Sequence, residues 1–222
     1  FTVQLVGHSK DSQVYDRFFS VTPDVSIDDV SKTDLIIIPA VNGDMTTVIE
    51  SNKDFLPWIT DQYKHGSEVA SLCVGSFILA STGLLKGKKC STHWVAANEF
   101  RKLFPEVELV SEKIITDENG IYSSGGANSF WNLLLHLLEK YTTRELAVLF
   151  SKYYEIEIDR NSQSPFFIFK GQSEHHDETI KKTQEFIENN FQEKITIDQL
   201  ASMFALGRRN LERRFKKATS NS

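Results

Sequence analysis

The stretch Val69-Ala70-Ser71-Leu72-Cys73-Val74-Gly75, running on into Ser76-Phe77-Ile78-Leu79-Ala80, carries the reading of the fold. An apolar, β-branched start followed by Cys-Val-Gly and a helical pattern from about Ser76 describes a buried strand that turns sharply into a helix. Such a strand-to-helix turn lifts one side chain above the carboxyl edge of a sheet, and a glycine two residues on lets the backbone pass close beneath it. The free N–H groups of the following helix would favour a thiolate at Cys73. The competing reading is a buried cysteine that behaves as a small hydrophobe. Twenty residues on, Ser91-Thr92-His93-Trp94 offers a histidine that could return to the same edge, and a Cys/His pair is the minimum for an activated thiol. Taken alone, a histidine such as His93 is more often a structural or surface residue, and Cys90 reads as packing.

Outward from this turn, short β-branched runs alternate with segments of helical period, the pattern of βαβ units and a mainly parallel sheet. Strands are expected at Thr2–Val6, Asp34–Pro39 and Glu68–Cys73, with Leu35-Ile36-Ile37-Ile38 apolar on both faces as a central strand covered by helices. Helices are expected over Met45–His65, Phe77–Leu85 and Val95–Phe104. Lys113–Thr116 and Ile121–Ser124 flank Asp117-Glu118-Asn119-Gly120, whose Asn-Gly signals a hairpin. Helices then follow over Ala127–Tyr141 and Thr143–Tyr154. The polar run 159–165 and the patch Phe166-Phe167-Ile168-Phe169 fall in a connection at 155–177, with the aromatic patch expected to dock on the first domain.

The 222 residues, 40% hydrophobic and 25% charged, suit one large and one small globular domain. The net charge of −5 conceals a split: residues 1–177 hold 16 Lys and Arg against 24 Asp and Glu, whereas residues 178–222 hold 9 against 6. Six of the ten residues 208–217 are basic, which points to a polyanion partner. Two cysteines without zinc-type spacing give no disulfide framework and no metal site, so a reducing cytoplasm is the default and no cofactor is expected. No apolar run approaches the roughly 18 residues of a membrane span, so no membrane partner is expected.

The tail is helical in pattern over Ile180–Phe191, Ile197–Phe204 and Arg208–Thr219. Thr196 can cap the second of these, and the third turns Leu211 and Phe215 inward and arginines outward. Two short helices joined by a turn containing Gly207 describe a helix-turn-helix whose second helix enters the major groove of double-stranded DNA. Arg208, Arg209, Asn210, Arg213 and Arg214 are the candidates to reach DNA, with Lys216 and Lys217 neutralising phosphates. The plainer alternative is a solvated charged face on a helical hairpin.

SLCVGSFILASTGLLKGKKCSTHW (71–94) and KIITDENGIYSSGGANSFWNLLLHLLEKY (113–141) resemble the ThiJ/PfpI superfamily. The resemblance implies a flavodoxin-like α/β fold of the class I glutamine amidotransferase type. It also implies a ligand site at Cys73, Val74, Gly75 and His93, with Gly125 and Gly126 in the pocket wall. The superfamily places an acidic residue after its first strand. Because Thr2–Val6 resembles the second strand, that acid is expected upstream of Phe1. ITIDQLASMFALGRRNLERRFKKAT (195–219) resembles the first helix-turn-helix of AraC-type regulators, matching at Arg209, Leu211, Arg213 and Phe215 and departing at Gly207, where a serine N-cap is usual; the second unit of such a module is expected beyond this sequence.

Joined, residues 1–154 and 178–222 resemble GlxA-like transcriptional regulators. The resemblance implies a homodimer that binds an unknown small-molecule effector near Cys73 and alters how the basic helices meet DNA. The rival is a cysteine-dependent hydrolase or hydratase of the same superfamily, with Cys73 and His93 catalytic. A third reading makes Cys73 an oxidation or electrophile sensor within the regulator.

Overall fold

The computed structural model describes residues 1–15, 19–167, 175 and 177–219. These fall into two compact units, Phe1–Phe167 and Ile168–Ser222. In chain order the first unit holds β1 (Val6–Gly7), β2 (Gln13–Tyr15), β3 (Phe19–Val21), β4 (Val25–Ser26), β5 (Leu35–Ile38), α1 (Met45–Ser51), α2 (Phe55–Lys64), β6 (Glu68–Ser71), α3 (Ser76–Ser81), β7 (Lys89–Cys90), α4 (Ala97–Leu103), β8 (Glu108–Leu109), β9 (Ile115–Asp117), β10 (Ile121–Ser124), α5 (Ser129–Tyr141) and α6 (Arg144–Tyr153). The second holds α7 (Glu178–Asn189), α8 (Ile197–Met203) and α9 (Arg208–Thr219).

The main sheet has the order β5-β6-β10-β9, parallel except for β9, with Ile36 beside Val69 and Val69 beside Ile121. This is the expected mostly parallel α/β architecture with one antiparallel edge. The strands that occupy its middle are β6 and β10, whose Val69, Ala70, Ile121 and Tyr122 are almost wholly buried. Among the described residues β5 pairs only with β6, with Ile36 and Ile38 buried and Ile37 41% exposed.

Two expectations are corrected. The strand expected at Thr2–Val6 is reduced to Val6–Gly7 paired with Val25–Ser26, because the Leu5 backbone is taken up by the backbone and carboxylate of Asp24. The single helix expected over 45–65 is two: the Asn52 side chain donates to the Val48 carbonyl and closes α1, and Pro57, with no N–H to give, is tolerated only in the first turn of α2. The hairpin between β9 and β10 forms as expected, with Asn119 and Gly120 both left-handed (φ 56° and 77°). At the amino-terminal end of the sheet Glu68 gathers Lys140, Tyr122 and Tyr141. Burial alone would raise its carboxyl, but the bonds from Lys140 and Tyr141 outweigh that and hold it below its ordinary value.

The segment after α6 packs on the rest of the first unit through Gln163 and Phe167, while Phe166 lies under Arg160 of the same segment. Of the aromatic patch, Ile168 and Phe169 lie outside the described residues, as does most of 168–177.

Candidate functional site

At the carboxyl end of β6 the Leu72 N–H donates to the Ile38 carbonyl, and the chain then turns through a 3-10 segment at Cys73–Gly75 directly into α3. Gly75 is required here. A Cβ at this position would lie 2.4 Å from the Pro39 carbonyl oxygen and 2.8 Å from that of Ile38, both backbone atoms that cannot yield. Cys73 itself is left-handed (φ 55°), a conformation that costs a non-glycine residue of order 1–2 kcal/mol and is kept where the surroundings over-determine it. The sharp turn read from the sequence is therefore present, and its strain falls on the cysteine.

A belt of buried hydroxyls holds the turn. The Cys73 N–H donates to Ser124 Oγ (3.3 Å), Ser76 Oγ donates to Thr92 Oγ1 (2.8 Å), and Thr92 Oγ1 donates to the Cys73 carbonyl (3.4 Å). The Ser91 N–H donates to Ser123 Oγ (2.7 Å), which is also bonded to Thr116 Oγ1. Segment 90–93 is thus fastened beside the elbow. His93 caps a 3-10 turn at Trp94–Ala96 by accepting the Val95 N–H at Nδ1 (3.1 Å), which leaves Nε2 as the protonated nitrogen of the neutral ring. That ring lies against Gly126, 3.8 Å from where a Cβ would stand.

The electrostatics do not favour the expected thiolate. Cys73 is half-buried, and burial pushes its thiol above the ordinary value more strongly than the Val74 N–H lowers it. Burial likewise lowers His93, so the ring is neutral at physiological pH. Among the described residues no hydrogen bond joins Cys73 to His93. Cys90 is fully buried and its thiol is pushed up to about 12, in keeping with packing. The arrangement offers a half-buried thiol at the elbow and, against Gly126, an imidazole N–H donor.

The residue that sequence reading missed is Gln163. Its amide fills the space beside Gly125, where a Cβ would come within 2.4 Å of Nε2, and its Oε1 accepts the Gly126 N–H (2.8 Å). It lies 71 residues beyond Thr92, whose carbonyl it also contacts, and no local pattern announces it.

In the second unit Ile180, Leu200, Ala201 and Leu211 form a core with Phe186, Phe204, Leu206 and Phe215 packed on it. Thr196 and Gln199 cap α8 reciprocally, and Ala205 (φ 54°) turns the chain toward α9. At about 100° per residue, Arg209, Arg213 and Lys216 share the side of α9 opposite Leu211, within about 60° of one another. Arg208 pairs with Asp198 (3.3 Å) and Glu212 (3.0 Å), and Arg213 donates to Asn210 (2.9 Å). Among the described residues Arg209, Lys216 and Lys217 are in no ion pair. Arg214 is placed differently from its expectation as an outward residue: it turns inward and forks onto the Asp177 carboxylate (2.8 and 2.5 Å), the group that also caps α7.

A match to the DJ-1/PfpI family covers residues 1–140. The chain belongs to the DJ-1/PfpI family. It is 30% identical over 198 residues to the HTH-type transcriptional regulator GbdR of Pseudomonas aeruginosa, an alignment covering 89% of this chain and 53% of that protein. It is 27% identical over 120 residues to the isonitrile hydratase of Pseudomonas putida, covering 53% of this chain and 50% of that enzyme. Among solved structures, a ThiJ/PfpI family protein from Pseudomonas syringae superposes with a TM-score of 0.60 at 15% identity, covering 92% of this chain and 79% of that one. The chain spans about half the length of the curated relatives it matches.

Proposed function

We propose that this protein is a sequence-specific transcriptional regulator in which a DJ-1/PfpI unit senses a small molecule at the Cys73 elbow and a helix-turn-helix unit binds double-stranded DNA. The observation that carries the reading is the joining, in one chain, of the Cys73 elbow to a second unit whose α9 presents Arg209, Arg213 and Lys216 on one exposed face. The alignment with a transcriptional regulator over 198 residues supports it, since it runs through both units.

In this reading α9 lies in the major groove. Arg209 and Arg213 read base edges, where an arginine fork matches guanine bidentately, and Lys216 and Lys217 neutralise phosphates. Arg208 and Asn210 flank that face, and Asn210 orients Arg213 by accepting from its guanidinium. Arg214 serves as a positioning residue that locks α9 to the start of α7. The protein acts in the cytoplasm as a homodimer, so that two such helices meet two half-sites. Cys73, Val74, Gly75, His93, Gly125 and Gly126 make up the effector site, occupied by a molecule with hydrogen-bond acceptors that meet the His93 Nε2–H.

Fluorescence-anisotropy titration of the full-length protein on its own upstream DNA and on scrambled DNA, across a salt series, tests this. Specific binding with a steep salt slope, and loss of the preference in Arg209→Ala, is the expected result. Equal weak binding to both DNAs would overturn the reading and turn attention to isonitrile-type substrates for Cys73, the chemistry named for one relative.

A further inference from the structure

Gln163 is a polar side chain only 2% exposed, and its carboxamide is engaged from both ends. Oε1 accepts the Gly126 N–H (2.8 Å), while Nε2 faces the carbonyls of Thr92 (2.9 Å), Ser111 (2.7 Å) and Lys113 (3.2 Å). Three of these four backbone groups, those of Gly126, Thr92 and Lys113, adjoin the elbow site. Thr92 precedes His93 and reaches the Cys73 carbonyl through its hydroxyl, and Gly126 lies against the His93 ring. The carbonyl of Lys113 also receives Ser91 Oγ, from the segment that carries His93. A primary amide suits the slot because it donates through nitrogen and accepts through oxygen in one plane.

The backbone around Gln163 is held to the same loop. Its N–H donates to the Glu112 carbonyl (2.9 Å), and Ser162 pairs with Lys113. Four residues on, the Phe167 ring stands 5.8 Å from that of Trp94, which in turn stands 5.7 Å from His93. Phe167 is also the last residue of the first compact unit.

We infer that Gln163 is a positioning residue of the elbow site, which aims His93 and closes the Gly125–Gly126 wall, and that opening of this wall and release of Ser164–Phe167, the segment leading to the second unit, are one event. The reason is that buried polar groups are costly to strand: withdrawing the amide takes the partner from the Thr92 and Ser111 carbonyls and the Gly126 N–H at once, the Lys113 carbonyl keeping Ser91 Oγ, so the contacts persist or break together. This rests on the reading of the elbow as a ligand site, but none of its readouts involves DNA. A protein that failed to discriminate DNA sequences would overturn the proposed function and leave this inference standing.

The test uses the full-length protein and two readouts: amide hydrogen exchange of the peptides holding Gly126 and Ser164–Phe167, and the rate at which iodoacetamide labels Cys73, Cys90 being buried. Gln163→Met keeps the bulk and removes the polar ends. It is expected to raise exchange in both peptides and the labelling rate by tenfold or more, with Val69–Ser71 unchanged. Gln163→Glu supplies a conservative rescue. The protonated acid carries both a donor and an acceptor like the amide, whereas the ionised form sets acceptors against three carbonyls. Read as a ratio to wild type at each pH, it is expected to match wild type near pH 5 and resemble Gln163→Met near pH 9, values chosen to bracket a buried, upward-shifted carboxyl at roughly 6–8. If Gln163→Met fails to fold, Gln163→Glu alone decides. Exchange and labelling that move separately, or neither moving, would overturn the inference.

Discussion

Gly125→Ala should destabilise the first unit through one identifiable collision. The backbone at Gly125 is not left-handed, so alanine meets no conformational penalty. Its Cβ, however, would stand 2.4, 2.7 and 2.9 Å from Nε2, Cδ and Oε1 of Gln163, and the amide must leave its slot. The carbonyls of Thr92 and Ser111 and the Gly126 N–H then lose their partner, while the Lys113 carbonyl keeps Ser91 Oγ. A stranded buried polar group costs about 1–3 kcal/mol, and water entering the vacated slot recovers part of three such losses, leaving about 3 kcal/mol. At about 2–4 °C per kcal/mol for a unit of this size, the melting temperature should fall by roughly 6–12 °C. Gln163→Ala empties the same slot and should also cost about 3 kcal/mol. Because both changes break the same contacts, the double variant should cost about 3 rather than 6 kcal/mol, a coupling far outside the ~0.5 kcal/mol scatter of independent sites. Urea unfolding at constant m-value measures all three. Additive costs would refute the argument, since they would mean that Gly125 and Gln163 do not share one constraint.

Other outcomes follow from the same geometry. The Cys73 thiol, raised by burial, should be alkylated at pH 7 more slowly than a free cysteine, with a midpoint above the ordinary ~8.5; a midpoint below that value would indicate an activated nucleophile and favour the hydratase-like reading. The Asp177 carboxyl is lowered chiefly by Arg214, so its contribution to the helix-turn-helix unit is present above its unfolded value of ~3.9 and lost as pH falls through the lower folded value. Asp177→Asn, which keeps the cap on α7, should flatten the decline in that unit's thermal stability at pH below about 5, and an unchanged acid limb would count against the pair. Gly207→Ser places an N-cap hydroxyl before α9 in open space, where an added Cβ meets nothing within 4 Å. It should raise the urea midpoint by the equivalent of a few tenths of a kcal/mol, and a lowered midpoint would argue against Gly207 as the cap position.

The sequence by itself determined whatever depends on neighbours along the chain. The elbow at Cys73 follows from a strand run, a compact Val-Gly step and a helix. The β9–β10 hairpin follows from Asn119-Gly120, and α8 and α9 follow from Thr196 and the spacing of Leu211 and Phe215. These are short-range preferences of backbone and cap, and each stands where it was read. The tertiary structure decided what depends on residues far apart. That Arg214 is spent on Asp177 thirty-seven residues earlier and that Gln163 closes the wall beside Gly125 are facts of packing. So is the state of the Cys73 thiol. The helix start beside it argues for lowering, and only the folded surroundings set the burial that wins. An exposed arginine and a paired one, or a loop glutamine and a buried one, share the same local sequence signal, and the difference between them is which distant partner the fold brings within 3 Å.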